Sequence, residues 1–135
     1  MEKNKYIDAR ALGEFICPIE TIFQIIGGKW RSRILWELGR TEKSVRFGEL
    51  QTALGDISVK VLTNHLRDLV ALELIFRSEF AEFPRRVEYG LSGFGKTLKP
   101  IFGVTAEWIV ENQDAVRKII ENNPNKDWRI KKRSA

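Results

Sequence analysis

The 135-residue chain carries 23 Lys and Arg against 18 Asp and Glu, a formal net charge of +5, with 43% hydrophobic and 30% charged residues. That composition is one folded domain, residues 1–135, long enough to bury its own core, and not a disordered chain. A single cysteine, Cys17, excludes an intrachain disulfide framework, and a single histidine, His65, excludes a zinc site built from Cys and His, so neither metal nor cofactor is expected. No apolar run approaches the roughly 18 to 20 residues of a membrane span, and the opening MEKNKYIDARALGEF has no apolar leader segment; the expected location is the cytoplasm, with no membrane partner.

Charge placement says more than its sum. The segment KDWRIKKRSA at residues 126–135 holds five basic residues and one acid, net +4, whereas residues 58–91 hold five of each sign and net zero. Bulk charge therefore cannot argue for a polyanionic partner, and placement has to.

In chain order, Ile7 to Phe15 reads as a short helix with Ile7, Ala11, Leu12 and Phe15 on one side. Pro18 suits a first helical position after Cys17, and Ile19, Ile22, Phe23 and Ile26 hold the helical period up to Gly27 and Gly28. A helix resumes through KWRSRILWEL and ends near Gly39. SVRF is a very short extended piece, Phe47, Leu50 and Leu54 mark a two-turn helix, and Gly55-Asp56 is a turn. The next helix starts at or near Ser58, a favourable N-cap, and runs to about Leu72, with Leu62, Leu66, Leu69 and Val70 forming its buried stripe. IFRSEF and RRVEYGL, separated by AEFP, predict a β-hairpin. From Ser92 the helical period returns, with Leu98, Ile101, Phe102, Thr105, Trp108 and Ile109 on one side; Pro100 either kinks this helix or marks a restart, and the tail beyond Asn122 is expected to fray.

Opposite the apolar stripe of the helix after Ser58, Lys60, Thr63, Asn64 and Arg67 repeat at i, i+3, i+4 and i+7 and form a second, polar stripe. Helix, tight turn, helix and β-hairpin is the order of a winged helix-turn-helix, a mainly α fold whose second helix enters the major groove. There Asn64 can pair with adenine, Lys60 or Arg67 with guanine O6 and N7, and Thr63 with a phosphate or a thymine methyl. Arg85 and Arg86 at the hairpin tip are placed for phosphates or the minor groove, and Lys29, Arg31 and Arg46 are weaker phosphate candidates. The bland counterpart is a solvated helix face. His65, beside the apolar stripe, reads as a packing or phosphate-facing residue, and no triad is within reach, so catalysis is not expected.

The stretches CPIETIFQIIGGKW, RFGELQTAL, ISVKVLTNHLRDLVALELI, RRVEYGLSGFGKTLKPI and AEWI together resemble the HxlR-type family of bacterial winged helix-turn-helix transcriptional regulators, over about Cys17 to Ile109. The family pattern Glu-x-x-Gly-Leu-Ile is replaced by VALELI, without the glycine, so the turn into the wing is expected to differ. The resemblance implies a homodimer on pseudo-palindromic double-stranded DNA, with recognition residues at Ser58, Lys60, Thr63, Asn64 and Arg67. It also implies dimerisation through N- and C-terminal helices, which gives a division into 7–16 (dimerisation helix), 17–91 (winged core), 92–122 (helical dimerisation region) and 123–135 (basic tail). Two other readings stay open: a winged-helix module that binds another protein, and a redox- or electrophile-responsive regulator, because the matching Cys-Pro position, here Cys17, senses oxidants or quinones in some members. Operator, target genes, sign of regulation and effector are outside what the sequence carries.

Overall fold

Fifteen buried apolar residues set the architecture, and nine of them belong to three helices and the turn between two of them. The computed structural model describes residues 7–9 and 14–128, with side chains from residue 16 onward. Helix α1 spans Pro18–Ile26 and α2 spans Arg31–Gly39; α2 buries Ile34, Leu35 and Leu38. Helix α3, Phe47–Leu54, buries Leu50 and Leu54, and α4, Val59–Ala71, buries Leu62, Leu66 and Leu69, with Ile57 of the intervening turn beside them. At roughly 1.5 to 3 kcal/mol for each fully buried aliphatic side chain, this cluster is the main force that holds α4 against the body.

Strands β3 (Val45–Arg46), β4 (Ile75–Phe80) and β5 (Arg86–Leu91) form one antiparallel sheet in the order β3-β5-β4. The hairpin register pairs Ile75 with Leu91 and Phe80 with Arg86. Ile75, Tyr89 and Leu91 are buried, so the base of the sheet seals the core while its far end projects as a wing.

Three expectations are corrected. Ile7–Ala9 (β1) and Glu14–Ile16 (β2) are strands paired antiparallel, Ile7 opposite Ile16, and not one helix. The four-residue apolar stripe was a weak helical signal, and β-branched and aromatic residues at both ends favour cross-strand pairing. Ala11 and Leu12, on which that stripe depended, lie outside the described residues.

The C-terminal helix is three helices: α5 (Gly93–Lys96), α6 (Lys99–Glu111) and α7 (Gln113–Asn122). Ser92 caps α5 by accepting the Gly95 N–H at 2.9 Å, and Pro100 sits in the first turn of α6, where its missing N–H costs nothing. Pro100 therefore marks a restart. Third, residues 123–128 do not simply fray: the Trp128 indole N–H donates to the Asn123 carbonyl at 2.9 Å and Asp127 reaches Lys29 at 3.3 Å.

The missing glycine of VALELI leaves the turn intact. Helix α4 ends in a Schellman motif in which Leu74 N–H donates to Leu69 O (3.1 Å) and Glu73 N–H to Val70 O (2.9 Å). Glu73 takes the position that favours glycine, with φ at 62°. Helix α5 then closes over the turn: Ser92 N–H donates to Leu74 O and the Ser92 hydroxyl to Glu73 O. A Cβ on Gly95 would fall 1.9 Å from the Leu74 carbonyl oxygen, so this approach requires glycine.

Candidate nucleic-acid interface

The turn between α3 and α4 decides where α4 points. Gly55 has φ at 90°, a conformation open to glycine, and its N–H donates to Gln51 O. The buried amide of Gln51 donates from Nε2 to Ile57 O at 3.0 Å, and Arg33 of α2 donates from Nη2 to Leu54 O at 2.8 Å. Both satisfy carbonyls that the end of α3 and the turn would otherwise leave unpaired. Ser58 then starts α4: its hydroxyl accepts the Val61 N–H at 3.1 Å. Its side chain is thus committed to capping, a role worth about 1 kcal/mol.

From this start the polar stripe emerges as the sequence predicts. Lys60, Asn64 and Arg67 are exposed and Thr63 is half-buried. None of the four makes a side-chain hydrogen bond or ion pair with another described residue.

The surrounding arginines are different. Arg31 donates to Ile25 O (3.2 Å) and pairs with Asp68 of α4 (3.3 Å), tying the end of α1 to the flank of the stripe. Arg33 holds α3 and lies 5.2 Å from the Trp30 ring centroid. Lys29 lies over the same ring and pairs with Asp127. Arg46 stays exposed at the N-cap of α3, where its backbone N–H donates to the Glu49 carboxylate.

The wing separates its two arginines. Arg86 is three-quarters shielded, stacks 4.0 Å from the Phe80 ring centroid and pairs with Glu88 (2.9 Å) and Glu82 (3.2 Å). It stiffens the wing. Arg85 is exposed and pairs with Glu79 (3.3 Å), which Arg77 also holds at 2.6 Å. The hydrogen bond from Arg77, then the charges of Arg77 and Arg85, hold the Glu79 carboxyl below its ordinary range. Between the wing tip and the start of α3 runs a groove of about 510 Å³ lined by Arg46, Arg85 and Arg86 with one acid, Glu82.

His65 is half-buried, and its Nδ1 is enclosed without a hydrogen-bond partner. Cys17 is half-buried at the N-cap of α1; its carbonyl accepts from both the N–H and the hydroxyl of Thr21. Among the described residues, no group of three Asp, Glu, His or Cys side chains is placed to hold a metal, and no helix is long and apolar enough to cross a membrane.

Sequence reasoning missed the groups that aim α4: Gln51, Arg33 and the Arg31–Asp68 pair. Gln51 carried a usable signal, being a polar residue on the buried side of α3 between Leu50 and Leu54. The other two act across 21 and 37 residues and left no local trace.

Comparison with known proteins agrees with this geometry. The model of the HxlR-like helix-turn-helix family matches residues 25–117. The HTH-type transcriptional regulator YdzF of Bacillus subtilis is 44% identical over 91 residues, covering 67% of this chain and 83% of YdzF. The regulatory protein MalR of Fusobacterium mortiferum is 38% identical over 78% of this chain and 99% of its own. Among solved structures, the redox regulator HypR in its reduced form superposes with a TM-score of 0.69 at 33% identity, over 75% of this chain and 98% of that one. A winged helix-turn-helix with a free polar stripe on its second helix, matched over more than two thirds of its length, belongs to the HxlR-like helix-turn-helix family of DNA-binding transcriptional regulators.

Proposed function

We propose that this regulator acts as a homodimer that reads a pseudo-palindromic operator with two copies of α4, in the cytoplasm, by binding and without catalysis. Lys60, Thr63, Asn64 and Arg67 contact base edges and adjoining phosphates, Ser58 caps the reading helix, Arg85 contacts the backbone and Arg86 keeps the wing in shape. One observation carries the assignment: Arg31, Arg33, Arg85 and Arg86 around α4 are engaged within the protein, while Lys60, Asn64 and Arg67 make no side-chain hydrogen bond or ion pair with another described residue. Unpaired cations and amides on a rigid helix lose little rotamer freedom to intramolecular competition, and they are available for bidentate pairing.

The dimer reading is supported by the apolar faces of α6 and α7. Ile101, Val104, Trp108 and Ile109 are exposed on α6, and Ile119 and Ile120 on α7. They continue into an apolar cleft of about 530 Å³ between α1, α2 and α6, lined by Ile22, Phe23, Trp36 and Phe102. Such a surface on a single chain asks for cover, and a two-fold pair covers it with itself. It is also the surface that a protein-interaction module would use, so the oligomeric state separates the two readings. In the domain division, residues 92–122 supply the interface, with 7–16 contributing as a hairpin in place of a helix.

The test is selection of duplexes from a random-sequence pool by the purified chain, followed by footprinting. Two half-sites about 34 Å apart, one helical turn, or a multiple of it, are expected. A pool that gains no common sequence after repeated rounds overturns the reading.

A second reading is favoured by the likeness to a protein named a redox regulator. Cys17 would act as a sensor. With no second cysteine in the chain, its oxidation has to end in an adduct or in a disulfide between subunits, joined where β2 meets α1.

A further inference from the structure

The hairpin register sorts the charged side chains of the wing onto two faces. Arg86 stands opposite Phe80 and Glu88 opposite Ser78 on one face; Glu79 stands opposite Val87 and Arg77 opposite Tyr89 on the other. On the first face the charges close on themselves, because Arg86 takes both Glu82 and Glu88. On the second they do not balance. Glu79 is one carboxylate between two guanidinium groups, with Arg77 at 2.6 Å on one oxygen and Arg85 at 3.3 Å on the other, so the three together keep one net positive charge.

The two cations are held unequally. Hydrogen bonds to Glu79 and to Tyr89 across the hairpin favour the charged form of Arg77 and pin it in place. Arg85 sits just before β5 with 73% of its side chain exposed, and Glu79 is its one ion-pair partner among the described residues. Arg77 therefore fixes the carboxylate, and Arg85 is the member free to exchange. Glu79 stays ionised at neutral pH, since the Arg77 hydrogen bond, then the charges of Arg77 and Arg85, hold its carboxyl below the ordinary range. Arg85 also lines the groove that it shares with Arg46 and Arg86, a groove to which Glu79 does not contribute. It thus borders both its internal partner and the cationic face of the wing.

We propose that Glu79 is an internal competitor for phosphate: it occupies Arg85 in the free protein and gives it up when the wing meets the DNA backbone. This rests on the DNA-binding reading of α4 and the wing. The exchange replaces one oxyanion by another, since carboxylate and phosphate both accept the guanidinium fork, and an exposed ion pair is weak enough to be exchanged. Arg77 remains on Glu79, so the carboxylate that loses Arg85 keeps a partner. Neutralisation of phosphates by cations is sequence-independent, so the competitor lowers the hold of the wing on any duplex and leaves the choice of sequence to α4.

The experiment compares full-length wild type, Glu79→Gln, Arg85→Ala and the double variant. The probes are the duplex selected by wild type and an unrelated duplex of about 30 base pairs, each titrated across about 50 to 300 mM NaCl, with circular dichroism and sedimentation run beside them. Gln keeps the length of the side chain and its amide oxygen can still accept from Arg77; Glu79→Ala serves as a second removal of the charge. The slope of log K against log salt changes by about 0.9 for each phosphate contact, so freeing Arg85 should steepen it by up to about 0.9 for each wing engaged. Both duplexes should be bound about three- to eightfold more tightly per wing near 100 mM salt, with the ratio between them unchanged. In the Arg85→Ala background the gain should vanish, because the competitor then has nothing to withhold. Wild-type slopes and affinities for both Glu79 variants overturn the inference. So does the same gain with Arg85 absent, which would make Glu79 a general repulsive charge, and so does a gain that accompanies a changed oligomeric state. Absence of salt-dependent binding by wild type to either duplex would instead overturn the DNA-binding reading itself.

Discussion

Replacement of Glu73 by glycine should stabilise the protein. Glu73 holds φ at 62° at the end of α4, and its exposed side chain makes no hydrogen bond or ion pair with another described residue, so nothing is lost with it. The left-handed conformation costs a residue with a Cβ about 1 to 2 kcal/mol. Glycine removes that cost but adds about 0.5 to 1 kcal/mol of unfolded-state entropy. The difference is a net gain of about 0.5 to 1 kcal/mol, which for a domain of this size raises Tm by roughly 2 to 4 °C. The backbone bonds Leu74 N–H to Leu69 O and Ser92 hydroxyl to Glu73 O are independent of the side chain and should persist. Thermal and urea unfolding at one fixed protein concentration would measure the change, since the stability of the proposed dimer would depend on concentration. Glu73→Ala should be near neutral and Glu73→Val destabilising, because β-branching disfavours positive φ further. A glycine variant that unfolds below wild type would refute the strain assigned to this turn.

Three further predictions follow from particular contacts. Gly95→Ala, which drives a methyl into the Leu74 carbonyl, should cost about 1 to 3 kcal/mol of stability in the same unfolding assays. Trp108→Glu places a charge on the apolar face of α6 and should shift micromolar protein from dimer to monomer by sedimentation while its circular dichroism stays unchanged. If Cys17 is a sensor, diamide or a quinone should change operator affinity of wild type but not of Cys17→Ser; identical behaviour of the two would leave Cys17 a structural residue at the head of α1.

What could be read in advance was local. The α4 cap, its polar stripe, the buried Leu62, Leu66 and Leu69 and the existence of the hairpin follow from Ser58, the 3.6-residue period and the run of β-branched and aromatic residues, although Val70, expected in the buried stripe, is exposed. The hairpin at Ile7–Ile16 was misread because a few apolar residues fit either period, and only pairing between its two arms decides. In the C-terminal region Pro100 left a kink and a restart equally open because it suits either, and the second break, at Asn112 between α6 and α7, had no proline or glycine to mark it. For the candidate site, the chemistry of the stripe was visible but not its freedom. That Arg31 and Arg86 are occupied, while Lys60, Asn64 and Arg67 are not, depends on partners such as Asp68 and on the Phe80 ring, which no spacing rule connects to them. The anchoring of the tail through Asp127 and Lys29 spans 98 residues and was equally invisible.

The most direct test of the central claim is the affinity of Asn64→Ala and Arg67→Ala for the duplex selected by wild type, measured beside an unrelated duplex at one salt concentration, with Arg85→Ala as the comparison. Each stripe variant should lose about 1 to 3 kcal/mol on the selected duplex and much less on the unrelated one, so that discrimination between the two falls. Arg85→Ala should weaken both about equally. Folded stripe variants that bind the selected duplex as tightly as wild type would contradict the assignment of α4 as the reading helix.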